Sequence, residues 1–193
     1  VCEWFRQGYA QATLALQYPF SAPIQENPEV MPLVARPGRN RRAEIAAETG
    51  ADPDKGWAVV WFHDLEIDPR LLGDLPYELF TRLDWPQARH SQAPFAYLVA
   101  SADVVVTKPG FGILSDCIAN GKPIVYVPRD DFSEAFLLEE AIQKYTAFAR
   151  IEAEDLYAGN WLKSLEQARA GQPLLPPPPQ DGAAQIARRI LRV

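Results

Sequence analysis

Three short β-prone apolar runs, each followed by a helix-like stretch, constrain this chain most. Trp57-Ala-Val-Val-Trp-Phe62, Asp103-Val-Val-Val106 and Ile124-Val-Tyr-Val127 are nearly continuous in apolar residues. Strands that read this way are buried on both faces, as in a parallel sheet covered by helices. Between and after them lie helical stretches at Gly112 to Asn120, closed by Gly121, and at Asp131 to Tyr145. Strand and helix alternating at this spacing predict βαβ units. The fold class is therefore α/β, a Rossmann-like parallel sheet with helices on both faces.

The flanking regions extend the pattern. Arg41 to Glu48 predicts a helix closed by Gly50, with Arg39, Arg41 and Arg42 on a solvated face. Tyr77 to Leu83 and Ala147 to Ile151 are further candidate strands, and Phe95 to Ala100 a short helix. Pro19, Pro23, Pro28 and Pro32 favour an extended connector over a long helix. Pro176 to Pro179 form a spacer before a last helix, with Asp181 as its cap and Ala183, Ile186, Ala187 and Ile190 on one face. Residues 1–35 read as a linker segment that contacts a missing N-terminal domain, and 36–193 as the Rossmann-like domain. The first residues lack an initiator methionine, so a fragment of a longer chain is expected.

Composition excludes several classes. Across 193 residues, Lys+Arg 19 against Asp+Glu 25 leaves a net charge of −6, the wrong sign for a general nucleic-acid binder. No apolar run approaches the roughly 20 residues that span a bilayer, which speaks against membrane insertion. Cys2 and Cys117 show no metal spacing and, with His63 and His90, complete no usual zinc set. Sparse cysteine and no signal-like leader make a cytoplasmic location the expectation.

Chemistry concentrates in Val106-Thr-Lys-Pro-Gly-Phe-Gly-Ile-Leu-Ser-Asp-Cys-Ile-Ala-Asn-Gly-Lys-Pro123. A buried strand, a turn with two glycines and a helix start aim backbone N–H groups at the crevice beyond the strand ends. Phosphates suit such a place. Gly110 and Gly112 let a diphosphate approach the backbone, and Lys108 adds a charge. Asp116, about one turn into the helix, is placed to reach ribose hydroxyls. The plainer readings are that the glycines only make the turn and that Asp116 is a solvated helix residue.

Ser101-Ala-Asp-Val-Val-Val-Thr-Lys-Pro-Gly-Phe-Gly-Ile-Leu-Ser-Asp, followed by Ala-Asn-Gly-Lys-Pro-Ile-Val-Tyr-Val-Pro-Arg129, resembles the donor-binding half of GT-B nucleotide-sugar glycosyltransferases. It is most similar to the branch of MurG-type transferases and the glycosyltransferase-like domain of plant L-arabinokinases. Ser115, Asp116, Gly121 and Pro123 match that branch's motif, and Pro32-Leu33-Val34-Ala35-Arg36 and Gly159-Asn160-Trp161 also look similar. The resemblance implies that Gly110, Phe111 and Gly112 contact the diphosphate of a UDP-sugar, with Ser115 and Asp116 in the nucleotide site and Asp116 on the ribose. It places Arg129, Asp130, Asp131, Phe132 and Glu134 on the donor-sugar loop. It implies no metal and no cofactor, the UDP-sugar being substrate. It also implies an acceptor site and catalytic base on the missing domain, so that this chain alone is inactive.

Three departures set this chain apart from the family pattern, and those at Asp64, Glu66 and Asp116 favour an alternative, a non-catalytic glycosyltransferase-like binding or regulatory module. Asp116 is one methylene shorter than the family's glutamate. His63-Asp64-Leu65-Glu66 replaces a glycine-rich turn, and its carboxylates repel a diphosphate. Ser133 to Leu138 lacks the family's Gln/Asn pair. A UDP-sugar epimerase shares the crevice, but no residue singles it out. Among lone candidates, His63 at a strand end is either a catalytic or a loop histidine. Asp131 with Glu134 reads as a capping box, and Cys117 as core.

Overall fold

The computed structural model describes residues 2–23 and 27–192. In chain order the elements are α1 (Cys2–Ala10), β1 (Leu16–Gln17), β2 (Glu29–Val30), α2 (Arg42–Thr49), β3 (Gly56–Trp61) and β4 (Tyr77–Phe80). They continue with α3 (Phe95–Ser101), β5 (Val104–Thr107), α4 (Phe111–Ala119), β6 (Ile124–Tyr126), α5 (Ala135–Tyr145), β7 (Phe148–Arg150), α6 (Ala153–Ala158), α7 (Leu162–Ala170) and α8 (Gly182–Ile190). They form two units, Val1–Ala35 with Pro178–Val193, and Arg36–Pro177.

The larger unit is a five-stranded sheet of order β4-β3-β5-β6-β7 in which every pairing is parallel. The apolar runs supply its centre, with Trp57, Ala58, Val59, Val60, Val104, Val105, Val106, Ile124 and Val125 all buried. Side chains alternate between faces along each strand. Ala58, Val60, Val104, Val106, Val125 and Ala149 face a cluster with Leu156, Trp161, Leu165 and Ala168 from α6, α7 and the turn between them. The other parity carries Trp57, Val59 and Trp61, and Phe95 of α3 meets Trp61 there at 4.0 Å between ring centroids. Helices therefore cover both faces, as predicted.

Several boundaries differ from expectation. The helix expected from Asp131 starts at Ala135, and no side chain caps it. Arg129 takes the Asp131 carboxylate through Nε and Nη2 at 2.9 and 3.1 Å, so the capping box does not form. Asp181 stands at the start of α8 without a side-chain cap, since its Oδ2 accepts from Gln185 Nε2 instead. Arg42 does not lie on a solvated face. It donates to Ser101 O and Asp103 Oδ2 and stacks over Trp57 at 4.4 Å. Gly50 does close α2, in the left-handed conformation that glycine adopts most readily. Helices α6 and α7 had no counterpart in the sequence reading.

In the smaller unit β1 and β2 pair in parallel. Val34 bridges Asp181, and Gly182 N donates to Leu33 O at 3.2 Å. Leu33 is fully buried, while Trp4, Phe5 and Tyr9 of α1 are exposed. No helix among the described residues is long and apolar enough to cross a membrane.

Candidate functional site

Strands β3 and β5 end side by side, with Trp61 in register with Thr107. Thr107 Oγ1 donates to Trp61 O at 2.9 Å and ties the two ends together. Lys108-Pro109-Gly110 then turns the chain into α4. The first N–H groups of a helix have no carbonyl one turn back to pair with, and no side chain caps this one. They face a crevice of about 450 Å³ whose wall includes Trp61, His63, Asp64, Lys108, Gly110, Phe111, Gly112, Arg129 and Asp131.

The fold itself does not need the two glycines. Gly110 is extended, with φ −156°, a conformation open to any residue. A Cβ there would meet Ile113 Cγ2 at 3.7 Å, an ordinary contact, and at Gly112 it would meet nothing within 4 Å. Making the turn therefore does not explain them. What they supply is open space above the helix start.

Charge in the crevice is matched. Lys108 Nζ lies 3.9 Å from Asp64 Oδ1, and Arg129 grips Asp131 in a two-pronged pair. The Arg129 guanidinium holds the Asp131 carboxyl below its usual range. Arg129 also lies over the Phe132 ring, 4.9 Å from its centroid. Among the described residues no group of three or more His, Cys, Asp or Glu side chains is placed to hold a metal ion.

Of the residues singled out by sequence, the structure brings Lys108, Gly110, Phe111, Gly112, Arg129 and Asp131 to this crevice. Ser115, Asp116, Asp130, Phe132 and Glu134 are not in its wall. Ser115 is buried and returns its hydroxyl to Phe111 O at 2.8 Å. Asp116 is 2% exposed, with both carboxylate oxygens turned to Arg36. Oδ1 accepts from Arg36 N at 3.1 Å and Nε at 3.3 Å; Oδ2 accepts from Nε at 3.1 Å and Nη2 at 2.5 Å. Asp130 is exposed, and Glu134 stands at the start of α5. His63 is exposed on the crevice wall, and Cys117 is fully buried, which pushes its thiol pKa up.

Sequence reasoning missed a second cavity of about 390 Å³ beside the crevice, lined by Trp61, Phe80, Arg82, His90 and Phe95 among others. Trp61 belongs to both walls. Arg82 covers its ring at 4.8 Å, and Phe95 packs on it at 4.0 Å. The visible signal was an aromatic at a strand end and another opening a helix, which periodicity alone assigns to the core.

No protein-family model matches the chain. Over 76 residues, 39% of its length, it is 30% identical to L-arabinokinase of Arabidopsis thaliana, a match spanning 7% of that protein. The crystal structure of CalG4, the calicheamicin glycosyltransferase, superposes with a TM-score of 0.55 and 18% identity, covering 96% of this chain and 50% of CalG4. That of the glycosyltransferase VinC in complex with DTDP gives 0.49 and 16%, over 93% of this chain and 52% of VinC. The chain thus spans about half the length of these solved structures and a small part of the curated relative. The helix-covered parallel sheet and its superposition on CalG4 show that this chain shares the fold of that glycosyltransferase over the part it covers.

Proposed function

We propose that this chain is the donor-binding half of a sugar transferase and takes a nucleoside diphosphate sugar, a UDP-sugar in the first instance, in the crevice beyond β3 and β5. The observation that carries this reading is the pair of glycines, needed by neither backbone nor packing, at the open start of α4. A diphosphate set there meets backbone N–H groups and the positive helix end. Lys108 and Arg129 are within the same wall. Donors already aimed at the leaving diphosphate stabilise the charge that develops as the sugar departs. The acceptor and the catalytic base belong to a partner domain in this reading, so the chain alone binds nucleotide and does not turn over.

A non-catalytic, nucleotide-binding or assembly module is the second reading, and the matched charges favour it. Lys108 and Arg129 each already face a carboxylate, which an incoming diphosphate must displace. Thermal stability with UDP, UDP-sugars, GDP and TDP, repeated on Gly110→Val, tests the donor site. A nucleotide-selective rise that vanishes in the variant supports it. No shift at millimolar nucleotide overturns it and leaves the assembly reading.

A further inference from the structure

Asp116 lies away from the crevice wall, yet a continuous set of contacts leads from it to that wall. Its carboxylate holds the Arg36 guanidinium by Nε and Nη2, which fixes the plane as well as the position of that group. Arg36 Cζ lies 5.7 Å from the Phe95 ring centroid, within cation–π range. Phe95 packs on Trp61 at 4.0 Å with an interplanar angle of 37°, and Arg82 closes the other contact to Trp61 at 4.8 Å. The backbone around Arg36 is tied to α4 and packed on α3. Asn120 Nδ2 donates to Arg36 O at 3.1 Å, and Gly38 N donates to Asn120 Oδ1 at 2.7 Å. Gly38 also lies so close to α3 that a Cβ there would stand 1.9 Å from Ala96 O.

We propose that Asp116 is a positioning residue for the crevice: through Arg36 and Phe95 it sets the orientation of Trp61, the ring that walls both cavities. A carboxylate whose two oxygens already accept four N–H contacts from one arginine is engaged in this task and not turned to a ligand. The proposal rests on the nucleotide reading above for its effect on binding, but its structural part can be measured without any nucleotide.

The test follows the signal of Trp61, taken as the difference between each protein and its Trp61→Phe counterpart. Asp116→Asn and Arg36→Lys each open Trp61 to acrylamide by about two- to fivefold, the scale of one exposed cation–π contact, and Phe95→Leu, which also removes the ring packed on Trp61, by at least as much. Each also weakens UDP binding by about tenfold, equivalent to 1.4 kcal/mol. Phe95→Leu leaves the ion pair intact, so the effect does not depend on tolerating an altered Asp116. Asn120→Ala loosens the backbone that carries Arg36 but leaves the guanidinium fork on Asp116 in place, so it opens Trp61 less than the Asp116 and Arg36 variants do. Asp116→Glu behaves like Asp116→Asn, because the longer side chain no longer fits the Arg36 fork.

Unchanged quenching in the Asp116 and Arg36 variants overturns the proposal. So does an Asn120→Ala shift as large as theirs, which would mark general loosening. An Asp116→Glu protein that binds UDP more tightly with Trp61 unmoved would show a direct contact instead. If the parent chain binds no UDP, the donor reading falls, while the quenching series still decides whether Asp116 positions Trp61.

Discussion

Gly112→Ala separates what the fold requires from what a ligand requires. Gly112 is exposed in the first turn of α4, and its added Cβ meets nothing within 4 Å. Alanine in a helix is favoured over glycine by roughly 0.5–1 kcal/mol because the unfolded chain has less freedom to lose. Near the helix start we take the lower value, about 0.5 kcal/mol, which for a chain of this size raises Tm by about 1–2 °C. The ligand effect has the opposite sign. UDP at 100 times its Kd stabilises the parent by about 2.7 kcal/mol, or about 5–10 °C. A methyl group above the helix start occupies the approach to the N–H groups, so that ligand-induced rise collapses in the variant. Differential scanning fluorimetry with and without millimolar UDP reads both effects in one experiment. An undiminished UDP shift in Gly112→Ala refutes the claim that the glycine makes room for phosphate. A fall of several degrees without ligand refutes the claim that the fold does not need it.

Gly38→Ala should have the opposite character, because its Cβ would stand 1.9 Å from Ala96 O and 2.9 Å from Ala100 Cβ. A lower urea midpoint corresponding to about 3 kcal/mol, the upper end of ordinary overpacking, is expected. Burial alone would raise the pKa of Glu78, but Arg89, the Asp52 N–H and Lys55 together hold it below its ordinary 4.5. The stability it contributes is therefore complete above pH 4.5 and lost as pH falls through the lower folded value. Chemical denaturation between pH 3 and 6 should show a shallower acid loss in Glu78→Gln. In a Cys2→Ala background, Cys117 should react with a thiol-specific disulfide reagent only at the rate of unfolding, since burial disfavours its thiolate.

What was legible in the sequence is what short-range pattern controls. Val59-Val60 and Val105-Val106 announce strands covered on both sides, and Gly50 stops its helix because its conformation is local. The start of α5 was misread because two local options compete for Asp131. A capping bond to its own helix loses to the two-pronged Arg129 pair two residues back. Helices α6 and α7 were missed because they are short and separated by Gly159-Asn160-Trp161, so neither shows a full apolar stripe. In the site, the glycine turn and Lys108 follow from consecutive residues, whereas the Lys108–Asp64 pair joins two strand ends and the Arg36–Asp116 pair joins positions 80 apart. No window of sequence contains that pairing. The Trp61–Phe95 contact is hidden for the same reason.

The outer strand β4 has a consequence for how concentrated protein behaves. A bare sheet edge offers unpaired N–H and C=O groups to other chains and seeds aggregation. Here the chain folds back along that edge, with Arg89 N donating to Leu79 O at 2.7 Å and Arg89 bridging Phe80. On the same strand Glu78 is a charge only 7% exposed, and Arg89 Nε faces its carboxylate at 2.8 Å. A foreign strand docking at β4 would have to displace the Arg89 segment and strip Glu78 of its 2.8 Å partner, leaving it the Asp52 N–H and Lys55 at 3.9 Å. One arginine thus shields a sticky edge and makes its replacement by another molecule costly, a colloidal safeguard independent of any ligand.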